Sequence, residues 1–446
     1  MKLPNGPKTL PFFQVLQAIV KPLETLENNA QKYGDAYTAR LSGFGSIVVL
    51  SQPAAIEAVM TAPNDLFESG GSNAPFRPFL GNHSILMMDG KTHQRERKLL
   101  TPPFHGERLK TYGQAICDIT NQVTQRWQPG QTFSMRTVIQ EISLRVIMRT
   151  VLGVHEGERA EQLRQHLDEM LNFFEQPFNS LFLFMRSLQK DWGAWSPWGK
   201  VARQLKRIDT ILFAEIQERR ANPDRLGDDI LSLMMTARDE DGQAMTDQEL
   251  RDEMMTLLFA GHETTATAIA WAMYWIHALP DVGQKLQKEL SELDENIDPV
   301  TIARLPYLSA ICDETLRIYP VGLFTFSRVL KQPWTLMGQT FEAGTQLSPC
   351  IYLLHHRADL YPEPDQFKPD RFLERQFSLY EYIPFGGGNR RCLGMAFALF
   401  EMKLVLQSVL STWQLELKSD RPIKPVRRGF TMAPEQGVPM RVVKRR

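Results

Sequence analysis

The segment "TDQELRDEMMTLLFAGHETTATAIAWAMYWIHALP", residues 246 to 280, constrains the fold more than any other part of this 446-residue chain. Thr246 and Glu249 form a capping-box signature at its start, apolar residues recur at helical spacing, and no proline intervenes before Pro280. At ~1.5 Å per residue such a helix is roughly 50 Å long and can cross a whole domain. Inside it, Gly261 and the neighbouring threonines are poor choices for a stable helix interior. Positions that break a local rule concentrate where function sits.

The text around this segment is mainly helical. From about 53 to 290, periodic Leu, Ile, Met and Ala are broken only at "TAPND", "TPPFHG", "NPDRLGDD" and "RDEDGQ". "DAYTARLSGFGSIVVLS" (35 to 51) reads as a β-hairpin; its Gly43 and Gly45 lack the third glycine and the following helix of a dinucleotide loop. A second helical block, 299 to 319, stops at Pro320, and 326 to 355 alternates in strand fashion with turns at "MGQT" and "EAGT". After a Pro-rich, structure-poor stretch (357 to 377), a helix from 393 to about 412 and a hairpin over 427 to 443 close the chain. The expected class is mainly α with small β regions (α+β), one at each end, in one domain or two.

Lysine plus arginine equals aspartate plus glutamate at 51 each, so no net field points to nucleic acid. Cys117, Cys312, Cys350 and Cys392 lie far apart with no C-x-x-C pair, which argues against a disulfide framework or zinc knuckle and for a reducing, cytoplasmic setting. No stretch approaches the roughly 20 apolar residues of a membrane span, although residues 11 to 20 can rest on a membrane surface.

"FGGGNRRCLG" (385 to 394) is the chemically sharpest stretch. Cys392 stands at the start of an apolar helix, where free N–H groups and the macrodipole favour an anion, so an easily ionised sulfur is expected. The glycines 386 to 388 let a flat group approach the backbone, and Arg390 supplies a cation for an acidic substituent. A shielded thiolate beside apolar Phe385 meets the needs of an axial haem ligand; the bland reading is a buried cysteine at a Gly-rich helix cap.

F-x-x-G-x-R-x-C-x-G, carried by Phe385, Gly388, Arg390, Cys392 and Gly394, resembles the ligand loop of the haem-thiolate monooxygenases, the cytochrome P450 family. "FAGHETTATAIA" (259 to 270) resembles the family's distal groove, with Glu263 and Thr264 as the acid and alcohol that relay protons during O2 activation. His262-Glu263 is no zinc motif, because H-E-x-x-H needs a histidine where Ala266 stands. Glu314 and Arg317 share a helix face, and the resemblance adds Arg371 of "FKPDRF" as the third member of a buried triad; Asp370 stands where many relatives have glutamate. His93, Arg97 and Arg328 resemble haem-propionate partners. Lys91, Arg95, Lys98 and Arg391 form either a basic patch for an acidic electron donor or a solvated charged face.

The resemblance implies one domain over 1 to 446 with the cytochrome P450 fold, residues 1 to 30 being an extension without a membrane anchor. It also implies a monomer that holds haem b through Cys392 and takes electrons from NAD(P)H through a separate ferredoxin, flavodoxin or reductase, with O2 as co-substrate. By the same resemblance Phe76, Leu86, Phe259, Ala260, Val321, Phe324 and Met432 line the substrate pocket, and Phe430 lies within one of the lining segments. These residues are apolar, as is the Phe-rich stretch 171 to 188 that stands either in the pocket or in the core, and they favour a large lipophilic substrate. "HHRADLYPEPDQFKPDRF" is similar to soluble bacterial members, cyanobacterial ones included, related to fatty-acid hydroxylases. A long-chain fatty acid is the expected substrate and a terpenoid or retinoid-like molecule the alternative. A peroxide-using or peroxide-rearranging haem enzyme and a non-catalytic haem sensor are the rival classes.

Overall fold

The structure is a computed structural model that describes residues 3 to 446 except 44, 155, 176–178, 180–181, 183–187, 194, 295–296 and 420, with the backbone alone at 107. Its principal helices are α1 (Pro11–Val20), α2 (Pro22–Tyr33), α3 (Pro53–Thr61), α4 (Gly90–Leu100), α5 (Glu107–Thr124), α6 (Met135–Leu152), α7 (Glu158–Glu175), α8 (Pro197–Ala221), α9 (Asp247–Ala278), α10 (Pro280–Ser291), α11 (Pro306–Ile318) and α12 (Met395–Thr412). The centre is α9, 32 residues long. Its capping box is complete: the Thr246 hydroxyl accepts from the Glu249 N–H, and the Glu249 carboxylate accepts from the Thr246 N–H at 2.7 Å. Side chains are buried nearly all round α9, because α6, α8, α11, α12 and a strand of the last hairpin pack on different sides of it.

Gly261 has a packing reason. A Cβ there would lie 2.3 Å from the Ile147 side chain, so glycine lets α6 and α9 approach closely. The helical core includes Phe79, Ile139, Ile147, Trp271, Leu308 and Val405. By length and composition α12 could cross a membrane, but 56% of it is buried inside the molecule, and it packs on α5, α9 and α11 as a core helix.

The β structure differs from one region at each end. β1 (Ala36–Leu41) and β2 (Gly45–Leu50) form the expected hairpin. The remaining strands are β3 (Phe67–Glu68), β4 (Thr132–Ser134), β5 (Arg328–Leu330), β6 (Trp334–Leu336), β7 (Gln339–Phe341), β8 (Gln346–Pro349), β9 (Trp413–Leu417), β10 (Pro425–Arg428), β11 (Thr431–Pro434) and β12 (Pro439–Arg445). One sheet runs β1-β2-β8-β5-β3, so residues nearly 300 positions apart pair in parallel, Val48 with Leu347. β10 and β11 pair as a hairpin, but β12 leaves it: Gly437 and Val438 both take positive φ and send β12 between β4 and β9. The 299 to 319 block is two helices, Pro299–Ile302 and α11, because the chain turns again before Pro306. The buried run Ile351–His355 is a short helix, since an apolar run buried on all sides carries no period that separates helix from strand.

Candidate functional site: the cysteine loop and the open face of the central helix

Cys392 lies two residues before Gly394, the N-cap of α12. Its backbone N–H donates to the Phe385 carbonyl at 2.9 Å, which closes the loop into a hairpin-like turn. Gly386 and Gly388 hold φ of 67° and 63°, which side chains rarely adopt. A Cβ on Gly388 would sit 2.3 Å from the Met60 carbonyl oxygen, so α3 presses on the loop from outside. Gly394 is different: φ is ordinary, −83°, and a Cβ would meet nothing within 4 Å. No protein atom explains that glycine, whereas a flat group lying against the loop does.

The Cys392 side chain keeps open surface, yet enough protein surrounds it to push the thiol above its usual range. A sulfur on the wall of an internal cleft satisfies both. The easily ionised sulfur expected from the helix start is therefore corrected: burial outweighs the Gly394 N–H and the Arg97 and Arg391 charges, which favour the thiolate. A coordinated metal ion removes that proton outright.

The cations expected around the loop do converge. Burial lowers the His93 imidazole pKa to about 3, with Arg390, Arg97 and Arg328 adding to the effect, so a neutral His93 sits among three guanidiniums. Burial likewise lowers Arg328 to about 10, with Arg390 in the same sense and Asp89 against it. Arg328 and Arg390 line one crevice together with Met60, Phe67, Ser69 and Asp89. Asp89 is a member that the sequence reading missed, although it stands just before α4 as a recognisable N-cap. It accepts from the Ser69 and Gly70 N–H groups and pairs with Arg390 at 2.6 Å. The Arg390 guanidinium also donates to the Ile85 and Met88 carbonyls. Arg97 is half-buried and makes no ion pair among the described residues. A half-buried arginine without an ion pair among the described residues, a neutral histidine donor and a glycine facing open space fit a flat group with carboxylates.

Opposite in character is the open face of α9. Ala260 is exposed midway along an otherwise buried helix, and the Thr264 hydroxyl one turn on donates to the Ala260 carbonyl at 2.6 Å. Glu263 points elsewhere. Its carboxylate pairs with Arg136 of α6 at 2.5 Å and accepts from Gln140 Nε2 at 2.9 Å, with the Thr267 and Thr431 hydroxyls at 3.2 and 3.3 Å. Thr267 is the i+4 neighbour on α9 itself, whereas Arg136 and Gln140 come from α6 and Thr431 from β11, which no sequence spacing announces. His262 is buried, with Nε2 on the Gln140 carbonyl at 3.0 Å.

Beside that face the Phe259 ring meets Phe430 at 5.3 Å, and Phe430 meets Phe76 at 4.8 Å. Leu86, Val321, Phe385 and these three rings, all half-buried, border the helical core. The side chains of Phe324 and Met432 pack in a small cluster with Leu26, Tyr37, Val49 and Leu323, while the Met432 N–H donates to the Val321 carbonyl at 3.1 Å. Of the Phe-rich stretch 171 to 188, residues 176–178, 180–181 and 183–187 lie outside the described residues; Phe173, Phe174 and Phe182 pack on one another and on Phe79 and Trp198.

Glu314, Arg317 and Arg371 meet as a buried cluster. Arg317 makes two bonds to Glu314, at 2.7 and 2.8 Å, and Arg371 reaches it at 3.1 Å. The Lys368 N–H and the carbonyls of His355 and Gln366 complete the shell and tie α11 to the segment preceding the cysteine loop. The basic patch does not form as a set: Arg95 pairs with Asp239, Glu249 and Glu96, and Lys98 pairs with Glu240.

The profile of the family described as Cytochrome P450 matches residues 4–439. The chain belongs to the cytochrome P450 family. It is 36% identical over 445 residues to cytochrome P450 135B1 of Mycobacterium tuberculosis, covering 99% of this chain and 92% of that one. To cytochrome P450 137 of the same organism it is 34% identical over 413 residues, 92% of this chain and 83% of that one. Among solved structures, cyanobacterial CYP120A1 with retinoic acid bound has a TM-score of 0.86 at 23% identity, with full coverage of both chains. The cytochrome P450DA heme domain follows at 0.85 and 22%, covering 100% and 98%. This cytochrome P450 is accordingly a monooxygenase that binds haem through a cysteine thiolate, uses O2 and receives NAD(P)H electrons through a redox partner.

Proposed function

We propose that this P450 hydroxylates a long-chain fatty acid, taking electrons from a separate ferredoxin, flavodoxin or reductase in the cytoplasm. The observation that carries the reading is the ring cluster of Phe76, Phe259 and Phe430 next to the open Ala260–Thr264 face of α9. An apolar wall at a reacting centre orients a hydrocarbon by shape and excludes water. Arg77, exposed beside Phe76, offers a cation to a carboxylate at the mouth.

In this reading Cys392 ligates iron, and haem bound there supplies the activation of O2 and the attack on an unactivated C–H bond. His93, Arg97, Arg328 and Arg390 would hold its carboxylates, and Phe385, Gly388 and Gly394 shape the loop that carries Cys392. Thr264 holds a proton at Oγ1, now given to the Ala260 carbonyl. Glu263, one residue away in sequence, is held in the Arg136–Gln140 network and ties α9 to α6 there. Glu314, Arg317 and Arg371 fix the backbone behind the ligand loop.

The test is a reduced carbon monoxide difference spectrum followed by titration of fatty acids in the same cuvette. A red-shifted Soret band and a low-to-high-spin shift with fatty acids are expected. Arg77→Ala weakens binding of the acid but not of the matching alcohol. A second reading, an isoprenoid acid, draws on the cyanobacterial protein solved with retinoic acid bound; a spin shift with retinoic acid and none with fatty acids selects it. Product formed with hydrogen peroxide, and none with NADPH and a partner, would replace both.

A further inference from the structure

Helix α1 is built inside out. Phe12, Leu16 and Val20 recur four residues apart, and Phe13 is one step further round, so the four share about 100° of arc. That arc faces outward: Phe12 is 53%, Phe13 51%, Leu16 38% and Val20 65% exposed, and Leu10 just before the helix is 67% exposed. The polar Gln14 is turned inward instead. It is 4% exposed, its Nε2 donates to the Pro7 and Thr9 carbonyls and its Oε1 accepts from the Arg40 N–H. The fold therefore seats α1 on Gln14 and the buried Val15 and leaves two phenylalanines in water, which an ordinary surface helix would turn inward.

Charge selects what covers this face. The chain as a whole is neutral, yet its first 23 residues carry Lys2, Lys8 and Lys21 and no acid. Lys8 and Lys21, both exposed, flank the helix at its two ends, Lys21 in a solvent-exposed pair with Glu24 of α2 at 2.9 Å. A groove of about 360 Å³, lined by Leu16, Val20, Lys21 and Asn28 among others, opens between α1 and α2. A second copy is a poor occupant. A two-fold contact would bring like lysines together, and a ten-residue helix only about 15 Å long offers far less than the ~800 Å² per partner of a stable dimer.

We propose that the outward face of α1 is a docking surface for an anionic lipid bilayer. Its aromatic and aliphatic side chains enter the headgroup boundary while the lysines meet lipid phosphates. The position couples docking to the ring cluster. The Ala18 carbonyl accepts from Arg427 Nε at 3.2 Å, which fastens α1 to the β10–β11 hairpin, and the turn of that hairpin carries Phe430 against Phe76. The Pro75 carbonyl, next to Phe76, accepts from Gln189 at 3.1 Å, and Trp192 and Trp195, a few residues further along the chain, are 60% and 74% exposed. Aromatic rings of this kind sit well at a membrane interface.

The experiment is sedimentation of the haem-loaded full chain with vesicles of phosphatidylcholine and phosphatidylglycerol, and with phosphatidylcholine alone. Pelleting with the anionic vesicles is expected, weaker by about tenfold on the neutral ones. Phe12→Ser with Phe13→Ser should keep the carbon monoxide spectrum and lose about tenfold or more in vesicle binding. Hydrogen exchange on the unaltered protein needs no variant: amides of residues 10 to 20 should gain protection when anionic vesicles are added. No pelleting, or no protection there, overturns the proposal. So does a lipid-free dimer that the double variant dissolves, which would assign the face to a second copy. The inference is independent of the substrate reading, because a protein without a fatty-acid spin shift can still bind vesicles.

Discussion

At Cys392 two physical demands oppose each other. Burial favours the neutral thiol, while the Gly394 N–H and two nearby arginines favour the thiolate, and within the protein alone burial wins. Cys392→Ala is expected to fold and to lose the red-shifted band of the reduced carbon monoxide spectrum; a variant that keeps this band removes the ligand assignment. Thr264→Ala removes the hydroxyl that donates to the Ala260 carbonyl. Haem content should hold while product per NADPH falls by on the order of tenfold or more and hydrogen peroxide rises. Unchanged coupling would take Thr264 out of the proton path. Both residues stand in local sequence patterns and were legible there. Asp89, Arg136 and Thr431 were not, because what makes them matter is contact with residues 127 to 301 positions away.

Among elements, the glycine loop separates packing from ligand binding. Gly388→Ala puts a Cβ against the Met60 carbonyl at positive φ and should destabilise the haem-free protein by about 1–3 kcal/mol. Gly394→Ala meets no protein atom, so thermal unfolding of the haem-free protein should be unchanged while haem retention falls. Equal effects of the two on haem-free stability would refute the distinction. Quoted as sequence, these glycines look alike; the difference lies in α3, which presses on one and not the other. The triad behaves similarly. Glu314 and Arg317 are three apart and readable as a helix pair, but Arg371 joins them only through the fold. Glu314→Ala leaves two guanidiniums without their carboxylate in a buried site and should cost about 3–5 kcal/mol in denaturant unfolding.

Across the molecule several acids are buried, among them Glu96, Glu253 and Glu401. Burial raises Glu401 to about 8, Glu96 to about 7 and Asp313 to about 6. For such groups the native state holds a proton that the unfolded chain has released, so their stabilisation is complete below about pH 4.5 and is lost as pH rises through the folded pKa. Buried His93, lowered to about 3, acts in the opposite sense and withdraws stability as pH falls below about 6.5. Comparing Glu401→Gln with the unaltered protein isolates one contribution. In urea unfolding at a series of pH values the variant should gain on the parent between about pH 4.5 and 8, and parallel curves would show that Glu401 does not titrate as stated. Sequence by itself determined the central helix and the motif of the ligand loop, because capping, periodicity and motif spacing are local properties of the chain. Only the tertiary structure decided which strands share a sheet, where Glu263 points, which glycine faces open space and that α1 turns its phenylalanines outward, because each depends on which distant surface arrives beside the residue and removes it from water.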